Sequence, residues 1–182
     1  RLFALVSDCA KVPPQRPELK RFCIDYLFGL KDRLADKDRT VALFHLMSYL
    51  PKIDGDAAVR AFDELWVEPY PADDDTALNL AACSLAEVAP LKALEIANHL
   101  KGRDYPIVHT ALAKVAQKLA ETDRKQAMEI AQDARKRIIE GSDQEFGKAG
   151  FLMELAGDVA QMSPEFAREL LIESEAYVRD IE

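Results

Sequence analysis

The sequence predicts an all-α chain: an α-α superhelix, or solenoid, of about five stacked helical hairpins and about ten helices. Three observations lead there. First, the chain repeats itself. "ALNLAACSLAEVAPLKALEIANHL" (Ala77 to Leu100) aligns without gaps on "ALAKVAQKLAETDRKQAMEIAQDA" (Ala111 to Ala134), an offset of 34. The apolar slots recur 35 residues earlier in "ALFHLMSYLPKIDGDAAVRAFDEL" and 40 residues after the Ala111 unit in "FLMELAGDVAQMSPEFARELLIES". A period of this length marks a helical repeat array. Second, Ala111, Leu112, Val115, Ala116, Leu119 and Ala120 form a broad stripe at helical spacing. Third, period-2 alternation and β-branched clusters between turns, the signals of strands, are missing.

The units read in order as residues 1–38, 39–73, 74–108, 109–148 and 149–182. The first is a weak copy, with Cys23, Ile24 and Leu27 in the slots of Ala61, Phe62 and Leu65 and extra residues around "PPQRP". Its first helix, "LFALVSDCAKV", is too apolar for a solvated end, so self-association or an upstream segment is expected to cover it. The second and third units end alike, at the Tyr70-Pro71 and Tyr105-Pro106 pairs, which mark one inter-unit loop. Carboxylates at Asp73 to Asp75 precede a helix and favour its N-terminal dipole; Gly102 follows Leu100 and Lys101 as a C-terminal cap. The fourth unit carries six extra residues around "IIEGSDQEFG", after which Ser142 and Glu145 read as a capping box. In the fifth, Ser163 is an N-cap with Pro164 at the first helical position, opening a last helix expected to run to Ile181.

Composition narrows the function. Lys plus Arg number 24 against 32 acidic residues, a net charge of −8. That balance disfavours nucleic acid as a partner, since phosphate-binding surfaces are basic. Cys9, Cys23 and Cys83 sit far apart among apolar neighbours and read as buried thiols of a reducing compartment, hence a cytoplasmic location. No apolar run is long enough to span a membrane. The chain opens in mid-helix pattern at Arg1 and is expected to be a segment of a longer protein.

The second-helix spacings Ala58, Phe62, Leu65 and Ala127, Ala131, Ala134 approximate an A-x3-F-x2-A pattern. In this the chain resembles the tetratricopeptide-like and HEAT-like helical-hairpin repeats, diverging from the consensus: Trp66 ends a second helix instead of opening a first one. The resemblance implies a protein-binding scaffold whose first helices line a concave face. With the stripe packed inward, the outward positions stack into three columns: His45, Leu80, Lys114 and Glu154; Tyr49, Ser84, Lys118 and Asp158; and Phe44, Asn79, Ala113 and Met153. Phe44, His45, Tyr49, Asn79, Lys114 and Lys118 are the expected partner-binding residues, in a groove suited to an extended peptide or helix of another protein. The basic run Arg135, Lys136 and Arg137 is the alternative partner-binding site, for an acidic partner.

Catalytic and metal signatures are missing from the sequence. His45, His99 and His109 form no HExxH and no i, i+4 pair, and read as surface or helix-end residues. The three consecutive aspartates lack the ligand spacing of a calcium loop. Seven glycines leave little material for phosphate loops. No cofactor and no metal are expected. The reading is therefore a non-catalytic interaction scaffold, with a structural spacer or oligomerisation arm as the first alternative. The second alternative is an enzyme on a helical-repeat scaffold.

Overall fold

Every element in the described part of the chain is helical. The computed structural model describes residues 16–30, 47, 50–51, 54–65, 75–100, 108–141 and 145–179, and no strand occurs among them. Eight helices follow one another: α1 (Pro17–Leu30), α2 (Gly55–Leu65), α3 (Asp75–Leu85), α4 (Pro90–His99), α5 (Val108–Leu119), α6 (Arg124–Gly141), α7 (Glu145–Val159) and α8 (Pro164–Arg179). The first helices expected for units 1–38 and 39–73 fall largely outside the described residues. Of the second, Met47, Leu50 and Pro51 are helical and buried.

Four turns share one hydrogen-bond pattern. The amides of Asp54, Ala89, Asp123 and Ser163 donate to the carbonyls of Leu50, Leu85, Leu119 and Val159 at 2.7–2.8 Å. The carbonyls of the same four residues accept from Ala58, Ala93, Ala127 and Ala167 at 3.0 Å each. One residue therefore closes the helix before it and opens the helix after it, so the two run back on each other. The side chains finish three of the four caps. Asp54 Oδ1 accepts from Ala57 N at 3.0 Å, Asp123 Oδ1 from Gln126 N at 2.9 Å, and Ser163 Oγ from Phe166 N at 3.3 Å. Ala89 lacks a capping side chain, and Pro90 instead pre-sets the first turn of α4. The spacings between these residues match the sequence offsets of 35, 34 and 40.

Packing follows the apolar stripe. Consecutive helices from α2 to α8 pack on one another, and α5 also lies against both α3 and α7. Helix α5 is the most enclosed: Val108, His109, Ala111, Leu112, Ala113, Val115, Ala116 and Leu119 are all buried. Fully buried alanines at 81, 82, 111, 113 and 116 bring the first helices close, and Leu85, Leu112, Leu152, Leu155 and Leu170 supply core volume. Each such leucine contributes about 1.5–3 kcal/mol by leaving water. Close approach also explains Gly55: a Cβ there would lie 2.9 Å from Val88 Cβ in the turn before α4.

Polar bridges join successive second helices. Lys92 Nζ reaches Asp63 at 2.8 Å, tying α4 to α2. Arg137 donates to Asn98 Oδ1 at 3.3 Å and to the Ala97 carbonyl at 3.4 Å, tying α6 to α4. Arg135 grips Glu173 through two hydrogen bonds of 2.6 and 3.0 Å, tying α6 to α8. Arg60 lies 4.2 Å from the Phe28 ring centre, linking α2 to α1.

Candidate functional site

The first helices α3, α5 and α7 lie side by side, and their outward residues make one continuous face. Helical geometry advances about 100° per residue, so the residue two places beyond the inward leucine points to the opposite side. Leu80, Lys114 and Glu154 occupy that place; Leu80 is half-buried, and Lys114 and Glu154 are exposed. One turn further on, Ser84, Lys118 and Asp158 are all half-buried. The six residues come from three different hairpins and share one surface.

Charges on this face are largely answered from within the chain. Lys118 Nζ holds both carboxylate oxygens of Glu121 at 2.9 Å, and this hydrogen bonding raises its pKa. Burial pushes the Asp158 carboxyl above its ordinary range; Glu154 adds to the rise and Lys114 opposes it. Burial likewise raises the Cys83 thiol, which feels Lys114, Glu154 and Asp158. That thiol lies 3.9 Å from Asn79 Oδ1. Beside the face, along the three hairpin turns, runs an open cleft of about 410 Å³, lined by Glu87, Gln117, Lys118, Glu121, Arg124 and Gln161 among others. Arg124 spans its wall, donating to the Met162 carbonyl at 2.8 Å.

His109 was expected at a surface or helix end; it stands at a helix end, but buried there, at 4% exposure. It lies in the first turn of α5, where its ring packs on Phe151 at 4.6 Å between centres. Its Nε2 stands 3.6 Å from Glu154 Oε2. The residue is therefore part of the joint between α5 and α7. His99 matches the expectation, as the exposed last residue of α4.

The third expected column needs correction. Asn79 is buried at 8% exposure and Ala113 completely, so neither lines an open groove; of the described residues of this column only Met153, at 51%, is exposed. The reason is rotational. These residues lie one step from the inward stripe, on the flank that faces the next first helix. His109 and Phe151 mark that joint between α5 and α7. Phe44, His45 and Tyr49 lie outside the described residues. Lys114 and Lys118 do reach the face, although Lys118 is engaged by Glu121.

The basic run on α6 also differs from its expected role as an open docking spot. Arg135 is bound to Glu173, and Arg137 to Asn98, the Ala97 carbonyl and Asp133 Oδ2, the last at 2.6 Å. Lys136 faces Glu140 at 3.9 Å, both well exposed. Two of the three cations thus join neighbouring hairpins. Their partners lie 38 to 40 residues away in sequence, beyond the reach of a local pattern. Sequence reasoning also passed over Gln117, Gln161 and Arg124. Their common signal is position, at the end of a first helix, in the turn after it or at the start of the next helix.

Among the described residues no group of three His, Cys, Asp or Glu side chains is placed to hold a metal ion. None of their helices is long and apolar enough to cross a membrane. No protein-family model, curated protein or solved structure matches the chain.

Proposed function

We propose that the chain is a non-catalytic interaction scaffold, a tetratricopeptide-like or HEAT-like superhelix that binds an extended segment of another protein across α3, α5 and α7. The observation that carries this reading is the shared face itself. Leu80, Lys114, Glu154, Ser84, Lys118 and Asp158 come from three hairpins but meet on one surface beside a cleft. A ligand touching all three first helices must be elongated, as a peptide is.

The charges favour a basic ligand. Three cations, Lys114, Lys118 and Arg124, stand against four carboxylates, Glu87, Glu121, Glu154 and Asp158, on the face and its cleft. A lysine or arginine of the ligand placed near Glu154 and Asp158 would offset the repulsion between two carboxylates, one of them half-buried. Leu80 offers a half-buried apolar foothold on the same face.

Panning a random peptide display library on the purified chain tests the reading. Enriched peptides are expected to carry Lys or Arg, and to lose at least about tenfold in affinity against Glu154→Lys/Asp158→Asn. Peptides that bind that variant undiminished would move the site off this face. Failure to enrich any sequence would count against a peptide-binding role.

A further inference from the structure

The face across α3, α5 and α7 also limits the conformation of what it binds. The interior of a peptide is taken up as a strand added to a sheet edge, as an amphipathic helix in an apolar groove, or as a polyproline II helix. The first mode needs a sheet edge, and no strand occurs among the described residues. The second needs an apolar groove. Of the six outward residues only Leu80 is apolar; Ser84, Lys114, Lys118, Glu154 and Asp158 are polar or charged. The third mode fits in its dimensions. Packed helices lie about 8–10 Å apart. A polyproline II chain advances about 9.3 Å per three-residue turn, so every third side chain returns to the same side at that spacing. A strand returns a side chain to the same side after about 6.6 Å and falls out of step.

The chemistry changes at each step. In one column Leu80 of α3 is apolar, Lys114 of α5 cationic and Glu154 of α7 anionic. Glu121 holds Lys118 at 2.9 Å. Lys114 acts on Asp158 through space, with no hydrogen bond between them. Of the two lysines, Lys114 is the exposed one and the one open to a ligand. Asp158 stands one turn beyond Glu154 and adds a second carboxylate at the α7 step. The exposed amides of Gln117 and Gln161, in the cleft beside the face, suit the carbonyls and N–H groups that a polyproline II backbone leaves unpaired. Resting on the peptide-binding role given above and narrowing it, we propose that the ligand is a polyproline II segment carrying an apolar, an acidic and a basic residue at i, i+3 and i+6, which meet Leu80, Lys114 and Glu154 in turn.

Fluorescence anisotropy with labelled synthetic peptides provides the test. In a proline-rich host, leucine, glutamate and lysine are set three residues apart, in that order and in the reverse order, since either chain direction can cross the face. One of the two is expected to bind at least about tenfold more tightly than the same residues set two apart, or seven apart in a helical alanine-rich host. Lys114→Glu should weaken that binding at least about tenfold, and a peptide with lysine in place of its glutamate should restore it. Lys114 is exposed, so the variant keeps its fold, which circular dichroism checks. Equal affinity at all spacings, tightest binding at two or seven, or indifference to Lys114→Glu would overturn the polyproline II assignment and leave a peptide-binding face. If none of these peptides binds while library peptides do, the assignment fails and the peptide-binding role stands; if the library is empty too, both fail.

Discussion

Arg137 joins two helices by filling acceptors that neither helix could satisfy alone. Its guanidinium takes a carbonyl and an amide oxygen from α4 while Asp133, one turn earlier on α6, holds it in place. Arg137→Met is expected to cost about 1–2 kcal/mol in chemical denaturation, since charged hydrogen bonds are lost and an acceptor is left at a joint. Arg135 is more exposed, and a double-mutant cycle with Glu173→Ala should return a coupling of only about 0.5–1 kcal/mol. Asp158 works in the opposite sense. Its folded-state pKa lies above the ordinary carboxylate value, because burial and Glu154 penalise the charge. Between the two values the folded chain holds more protons than the unfolded one, so stability falls as pH rises through that window. Asp158→Asn should therefore raise the melting temperature at neutral pH, with the gain fading on acidification below the ordinary carboxylate range. A loss of stability at neutral pH would show that the carboxylate makes a favourable contact outweighing its burial.

Helices α2, α4, α6 and α8 each start at one recurring turn, and three of the four turns add a capping side chain. Asp123→Ala removes the acceptor of the Gln126 amide and should cost about 1 kcal/mol. Ala89 holds the same backbone place with no side-chain acceptor. Ala89→Asp is expected to stabilise by about 0.5–1 kcal/mol in the same assay; no change would mean that its backbone, at φ −146° and ψ 68°, holds a carboxylate out of reach of the amide. Gly55 shows the constraint between neighbouring elements. Its missing side chain lets α2 meet Val88, so Gly55→Ala should destabilise by about 1–2 kcal/mol despite alanine's higher helix propensity.

At the scale of the molecule, burial at a given register position differs between hairpins: Ala131 is fully enclosed and Leu171 is 46% exposed. Ala131→Leu places a larger side chain where Ala131 is fully enclosed, and should cost about 1–3 kcal/mol. Leu171→Ala, the reverse exchange at the equivalent place in α8, should change the stability of the single chain by less than about 0.5 kcal/mol. The two measurements together test the correspondence of units. A large loss from Leu171→Ala would mean that α8 packs otherwise.

By itself the sequence determined what is local and periodic. The stripe from Ala111 to Leu119, the Ser163-Pro164 helix start and the all-helical character were legible because each rests on residues a few places apart. The Lys118–Glu121 pair lies within the same reach, at i, i+3, although Lys118 was read as a partner-binding residue without it. Only the tertiary structure decided which flank of a first helix is covered. Asn79, Ala113 and Met153 share one register position, and the first two are buried while the third is exposed. It also decided that Arg135 and Arg137 are bridges and that His109 is interior. Periodicity reports the angle at which a side chain leaves its helix; what it meets there is set by a neighbouring helix that many residues of chain separate from it.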